Sequence, residues 1–211
     1  MRRVSAALIG FACAACSSHP APLPPGPGVV AFDRSPPEGV AVVDRPEWKV
    51  GDRFVFRRGG EQRIEVRVQS VDERQIVLVD ELTGALNRID RDYGSLSLDL
   101  ENGESITRWD PVDARFSWPL WVGKRWSCRY VVREDGADMP IRSEYQCDAR
   151  ETITVPAGEF ETLRIWRRSR PLADGQWLDR TDVYWYAPSV GQVVRRLDAT
   201  VLTELEGVQR Q

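Results

Sequence analysis

The chain has 211 residues, with 29 Lys and Arg against 32 Asp and Glu, for a formal net charge of −3. That near balance excludes the strongly basic surface on which nucleic-acid binding rests. Its single histidine is His19, so imidazole-based triads and histidine-built zinc sites are excluded from everything that follows it.

Arg2 and Arg3 precede a short apolar run, Val4 to Phe11, too brief to span a bilayer as a helix. A positive start and a short apolar core are the pattern of a secretory signal. The run closes on Cys13-Ala14-Ala15-Cys16-Ser17, which resembles a bacterial lipobox. The resemblance implies a lipoprotein signal peptide over residues 1–15, cut before Cys16, whose thiol and new amino group are then acylated, palmitate among the acyl groups. Cys13 is the competing acylation site, but Gly10-Phe11-Ala12 puts a bulky aromatic next to its cut. For Cys16 the departure is that Cys13 stands where a lipobox normally has an aliphatic residue. The other alternative is cleavage to a soluble periplasmic chain. In lipoproteins of this kind Ser17 favours transfer to the outer membrane, so the expected location is the periplasmic face of that membrane. No later stretch approaches the length of a spanning helix.

Residues 16–45 hold most of the punctuation, including Pro24-Pro25-Gly26-Pro27-Gly28 and Pro36-Pro37. Such a stretch stays extended and cannot bury a core, so it reads as a tether. The block 46–205 has the size of one domain, and residues 206–211 read as a C-terminal tail.

Within that block apolar residues alternate or run in short β-branched stretches, as in Arg53-Phe54-Val55-Phe56, Ile64-Glu65-Val66-Arg67-Val68 and Gln75-Ile76-Val77-Leu78-Val79. Period two marks strands. Asn102-Gly103, between two alternating runs, predicts a two-residue type I′ hairpin. Val155-Pro156-Ala157-Gly158 predicts a type I turn with glycine in the left-handed place, and Gly59-Gly60 a third turn. No window shows a helical stripe, which leaves at most a helical turn near Asp110 to Phe116. The expected fold class is all-β, an antiparallel meander forming a curved sheet or a partly open β-barrel. A short internal repeat accompanies it: Trp48-Lys49-Val50-Gly51-Asp52-Arg53-Phe54 and Trp121-Val122-Gly123-Lys124-Arg125-Trp126 share Val-Gly, then Arg and an aromatic, at equal offsets. A true duplication would make two similar halves of sheet; convergence of strand starters is the alternative.

The strings Trp118-Pro119-Leu120-Trp121-Val122-Gly123-Lys124, Val155 to Thr162, and Tyr184-Trp185-Tyr186-Ala187-Pro188 continuing to Arg195 are similar to motifs of uncharacterised periplasmic proteins and lipoproteins of Gram-negative bacteria. That resemblance, over roughly Trp118 to Arg196, implies a curved β fold like that of the lipoprotein carriers LolA and LolB, which hold acyl chains in a concave face. It assigns no ligand contact, because its motifs are strand and turn motifs.

Cys128 and Cys147 would lie in an oxidising compartment, where paired cysteines end as a disulfide. A turn near Ala137-Asp138 sets Cys128 opposite Cys147 and Tyr130 opposite Tyr145, which permits a cross-strand bond. The competing turn, Asp135-Gly136, sets Cys128 against Ser143 instead, and two buried free thiols are the alternative outcome. Asp179 with Asp182, or Asp110 with Asp113, are the carboxylate pairs near a tryptophan that an envelope glycan hydrolase would use; the plainer reading is strand-end residues facing solvent. Eight tryptophans are expected mostly in the core, with Trp118, Trp121, Trp177 and Tyr186 as candidates to line a groove for a ligand. These readings predict no catalytic residue, no metal and no cofactor. They predict a lipid-anchored, non-enzymatic envelope protein that binds a hydrophobic or amphipathic ligand. The alternative is a structural or assembly lipoprotein that meets another envelope protein.

Overall fold

The computed structural model describes residues 28–172 and 180–211. Thirteen strands account for most of them: β1 (Gly28–Ala31), β2 (Arg53–Arg58), β3 (Gln62–Val71), β4 (Gln75–Asp80), β5 (Leu86–Asp90), β6 (Ser95–Asp99), β7 (Ser105–Asp113), β8 (Arg125–Glu134), β9 (Ala137–Val155), β10 (Gly158–Pro171), β11 (Arg180–Ala187), β12 (Gln192–Asp198) and β13 (Val201–Gln209). No helix occurs among the described residues. Each strand from β2 to β13 pairs antiparallel with its neighbours in sequence, β13 pairs with β2, and β8 with β9. The predicted meander is therefore present, and it closes into a ring of twelve strands. Closure removes the exposed sheet edges that an open sheet would present.

Alternation decides the two faces. Phe54, Val68, Ile76, Trp126, Cys147, Ile165, Val194 and Leu205 point into the ring and are buried. The outer wall carries charge ladders, among them Arg164 Nη2 to Asp148 Oδ2 at 2.9 Å, Arg150 Nη1 to Glu161 Oε1 at 2.8 Å and Arg195 Nη2 to Glu204 Oε1 at 2.8 Å. An apolar-in, charged-out barrel is the inverse of one whose outside meets lipid.

The internal repeat is real at the level of backbone geometry. Lys49-Val50-Gly51-Asp52 and Trp121-Val122-Gly123-Lys124 each form a turn with glycine at positive φ, 94° and 103°. Gly51 N donates to Val68 O and Val68 N returns to Asp52 O; Gly123 N donates to Cys147 O and Cys147 N returns to Lys124 O, at 2.7–2.9 Å throughout. Each turn thus opens the first strand of a six-strand half, β2 to β7 and β8 to β13, and clamps it to that half's second strand.

Two ladders around the ring are short. β7 leaves β8 after Asp110, and β1 pairs with the part of β8 that this departure exposes. β12 and β13 share four pairs, beyond which the tip of the long β9–β10 hairpin reaches β13 through Ala157 N to Leu205 O at 3.0 Å. β13 runs to Gln209, and Arg210 Nε meets buried Asp52 at 3.2 Å while Gln211 N donates to the same carboxylate at 2.8 Å. Residues 206–211, read from the sequence as a tail, are therefore strand and barrel-end contact.

The predicted Asn102-Gly103 hairpin forms with a change of turn type. Gly103 has φ 86° but Asn102 stays on the ordinary side, its Oδ1 accepting from Glu104 N, so the loop is longer than a type I′ pair. The disulfide expectation is corrected. β8 and β9 turn through Asp135 and Gly136, both at positive φ, which sets Cys128 opposite Ser143 and Trp126 opposite Tyr145. Cys147 then lies four residues further along β9, about 13 Å at a strand's rise, well outside the reach of a disulfide. Both cysteines are free and buried. The two-residue turn wins because glycine at its second position removes the steric penalty of the left-handed conformation.

Candidate ligand-binding interior

One end of the barrel is shut by aromatic rings. The segments that precede β2 and β8 cross this end and bring Trp48 and Phe116 against the β5–β6 turn residue Tyr93 and against Tyr186 of β11. Trp48 stacks on Tyr93 at 4.4 Å, Phe116 on Trp118 at 5.2 Å, and Trp118 meets Tyr186 edge-on at 5.4 Å. Polar tips are satisfied: Trp48 Nε1 donates to Gly191 O at 2.8 Å, and Tyr93 OH donates to Pro46 O. Buried aromatics with one bonded polar tip make a floor that is apolar and fixed in orientation.

Above this floor lies a cavity of about 380 Å³. Phe56, Ile64, Val66, Leu78, Ile89 and Leu98 form its apolar wall, and Arg58 and Asp80, at the ends of β2 and β4, stand at its rim. A second cavity of about 390 Å³ adjoins it, lined from β7 to β12. Arg115, Tyr184 and Arg196 line both, so one barrel interior has an apolar side and a polar side separated by these three residues.

The polar side is built around Arg167 on β10. Its Nη1 donates to Asp182 Oδ2 at 3.1 Å; its Nη2 donates to Asp113 Oδ2 at 3.0 Å and to Tyr130 OH at 2.5 Å. Asp182, fully buried, also accepts from Arg180 Nε at 2.8 Å and Ala199 N at 3.2 Å. Tyr145 OH donates to Asp113 Oδ1, and Cys128 Sγ lies 3.9 Å from the same oxygen. Burial, with the Asp113 charge adding to it, pushes the Cys128 thiol up to about 12. Arg115 meets Asp113 only at 3.6 Å, while Arg196 pairs with Asp198 at 2.5 Å. Burial lowers the Arg196 pKa, and the charge of Arg115 lowers it further. The Nε atoms of Arg115, Arg167 and Arg196 are buried without a hydrogen-bond partner.

Of the residues predicted to line a groove, Trp118 and Tyr186 come together in the floor, and Tyr186 faces the apolar cavity. Trp121 is buried away from it, its ring 4.4 Å from Lys124 Nζ. Trp177, Asp179 and Cys16 lie outside the described residues. Asp110 and Asp113 do not form a pair: Asp110 meets Arg133 at 3.3 Å outside the interior, whereas Asp113 shares Arg167 with Asp182. Among the described residues no cluster of metal-ligating side chains occurs. The sequence reading missed the arginines of the interior. Alternation within Arg164-Ile165-Trp166-Arg167 already puts Arg167 on the same face as Ile165, the one signal that could have found it.

No family model and no curated protein sequence matches this chain. Among solved structures it is similar to the hypothetical lipoprotein YmcC from Escherichia coli K12, at 14% identity over 79% of this chain and 90% of that one, with a TM-score of 0.49. It is also similar to a "putative lipoprotein" from Parabacteroides distasonis, at 13% identity over 80% of this chain and 100% of that one, with a TM-score of 0.46. Both of those proteins are described as lipoproteins.

Proposed function

We propose that this protein is a lipoprotein held at the periplasmic face of the outer membrane through Cys16, and that its barrel holds one hydrophobic or amphipathic ligand without transforming it. The observation that carries the reading is the cavity of about 380 Å³, with an apolar wall and an aromatic floor. Its size falls in the range of small-molecule sites, and its form, an apolar pocket with few polar groups, is typical of them. A barrel with a solid core would leave no such space. Asp113, Asp182 and Asp198 are each engaged by arginine, an arrangement for holding charge in place.

The test uses the full chain carrying Cys16→Ser, purified without detergent, and dodecanol as the apolar probe. One-to-one binding measured by calorimetry is expected, and Leu78→Trp, which fills the cavity from β4, should abolish it. Absence of binding by the unfilled barrel would overturn the reading.

A further inference from the structure

We infer that the ligand is an anionic amphiphile, whose chain occupies the apolar cavity and whose acidic head is seated between Arg115 and Arg196. The inference rests on the ligand-binding reading above and adds the chemistry of the head.

Charge on the polar side is out of balance. Arg170 at its edge pairs with Glu144 at 3.9 Å; that leaves Arg115, Arg167, Arg180 and Arg196 in the lining, against Asp113 and Asp198 in the lining and Asp182 in the wall behind Arg167 and Arg180. Four guanidinium groups against three carboxylates leave an excess of one positive charge at this cavity. Arginine stays protonated in proteins, so this excess persists instead of being relieved by deprotonation. Buried charge is expensive unless opposed, and an anion supplied from outside is the species that would oppose it.

The position of the imbalance selects the ligand. Arg167 is committed to Asp113, Asp182 and Tyr130. The Arg115 guanidinium meets Asp113 only at 3.6 Å, and its Nε is buried without a hydrogen-bond partner, as is that of Arg196. These two are also the arginines that line both cavities. An anion between them lies at the junction, with the apolar wall of Leu78, Val66 and Ile64 beginning on one side. A free inorganic anion would use the arginines and leave the apolar cavity empty; a neutral lipid would do the reverse. A carboxylate or phosphate at the end of an acyl chain uses both, and the planar guanidinium fork is suited to either oxyanion.

Three probes separate these cases on the full chain with Cys16→Ser: dodecanoate, dodecanol and inorganic phosphate. Dodecanoate should bind at least about tenfold more tightly than dodecanol, tenfold being 1.4 kcal/mol. Arg115→Gln with Arg196→Gln should bring dodecanoate binding down to the level at which the same variant binds dodecanol, and Arg115→Lys should keep part of the preference. A cooperative unfolding transition and retained dodecanol binding show that the variant is folded. Equal binding of dodecanoate and dodecanol by the unsubstituted barrel overturns the head-group seat and leaves the apolar site standing. Phosphate that competes at the same concentration as dodecanoate overturns it in favour of an inorganic-anion site. Binding of neither chain overturns the ligand-binding reading and the inference with it.

Discussion

Arg167 and Asp113 form a 3.0 Å ion pair that reaches from β10 to the end of β7, over the two strands between them, with 12% and 1% of their side chains exposed. The pair ties a part of the ring where β7 has already left β8. Removing one member leaves the other charge buried without its nearest partner, and breaking such a buried pair typically costs about 3–5 kcal/mol. Arg167→Met should therefore lower unfolding stability by that order in a urea titration of the full chain. Adding Asp113→Asn should recover part of the loss, because it removes an orphaned charge; strictly additive costs would show that the two residues do not act together.

The free thiols give a chemical prediction. Cys128 is 1% exposed and Cys147 0%, and burial pushes each up to about 12, the neighbouring Asp113 and Asp148 charges adding to it. A thiol in that state is a poor nucleophile. A thiol-reactive chromogenic reagent should leave both unlabelled in the native protein and label both in urea. A fast native reaction, or a mass two hydrogens short between them, would contradict the strand register.

Stability should depend on alkaline pH in two opposed ways. Lys124, 2% exposed, donates to Ser117 O and Pro119 O at 2.6 and 2.8 Å, and burial lowers its pKa to about 8. Between about 8 and the ordinary value of about 10.4 the unfolded chain binds the extra proton, so this residue makes stability rise with pH. The two thiols act the other way: unfolded they lose protons near their ordinary value of about 8.5, folded they keep them to about 12, so stability falls above about pH 8.5. Tyr93, raised by burial to about 12, adds to that fall above its ordinary pKa of about 10. Denaturation midpoints should decline from about pH 9. Lys124→Met should lose ground against the unsubstituted protein between pH 8 and 10, and Cys128→Ala should decline less steeply.

The two turns that open the halves should respond alike to one substitution. Gly51 and Gly123 sit at φ 94° and 103°, where a side chain is strained, at a typical cost of about 1–3 kcal/mol. A Cβ at Gly123 meets nothing within 4 Å, and one at Gly51 meets the movable end of Gln211 at 3.1 Å. Gly123→Ala should therefore report backbone strain alone, and Gly51→Ala the same or slightly more. A negligible cost at either position, read from thermal unfolding, would show that the turn tolerates another conformation.

Strand positions were legible in the sequence because alternation is local: Phe54, Ile64, Val66, Ile76 and Leu78 lie on strands and face the interior, as their period of two requires. The Val-Gly repeat was legible for the same reason, since a turn needs only its own residues. The disulfide was not, because the partner of Cys128 depends on where the β8–β9 turn falls, and a shift in the turn moves every pair along the hairpin. Residues 206–211 carry no turn or pattern that marks them as strand; their order comes from pairing with β2 and from Asp52.

The sequence by itself determined an all-β chain, its antiparallel succession of strands and the repeated turn, all set by contacts between near neighbours. Only the tertiary structure decided that the sheet closes, that aromatic residues from distant segments shut one end, and that arginines scattered from position 115 to 196 share one interior. Those features rest on residues far apart in the chain, which a closed ring brings within a few ångströms. In a linear reading each arginine is one more charged residue on an ordinary strand or loop.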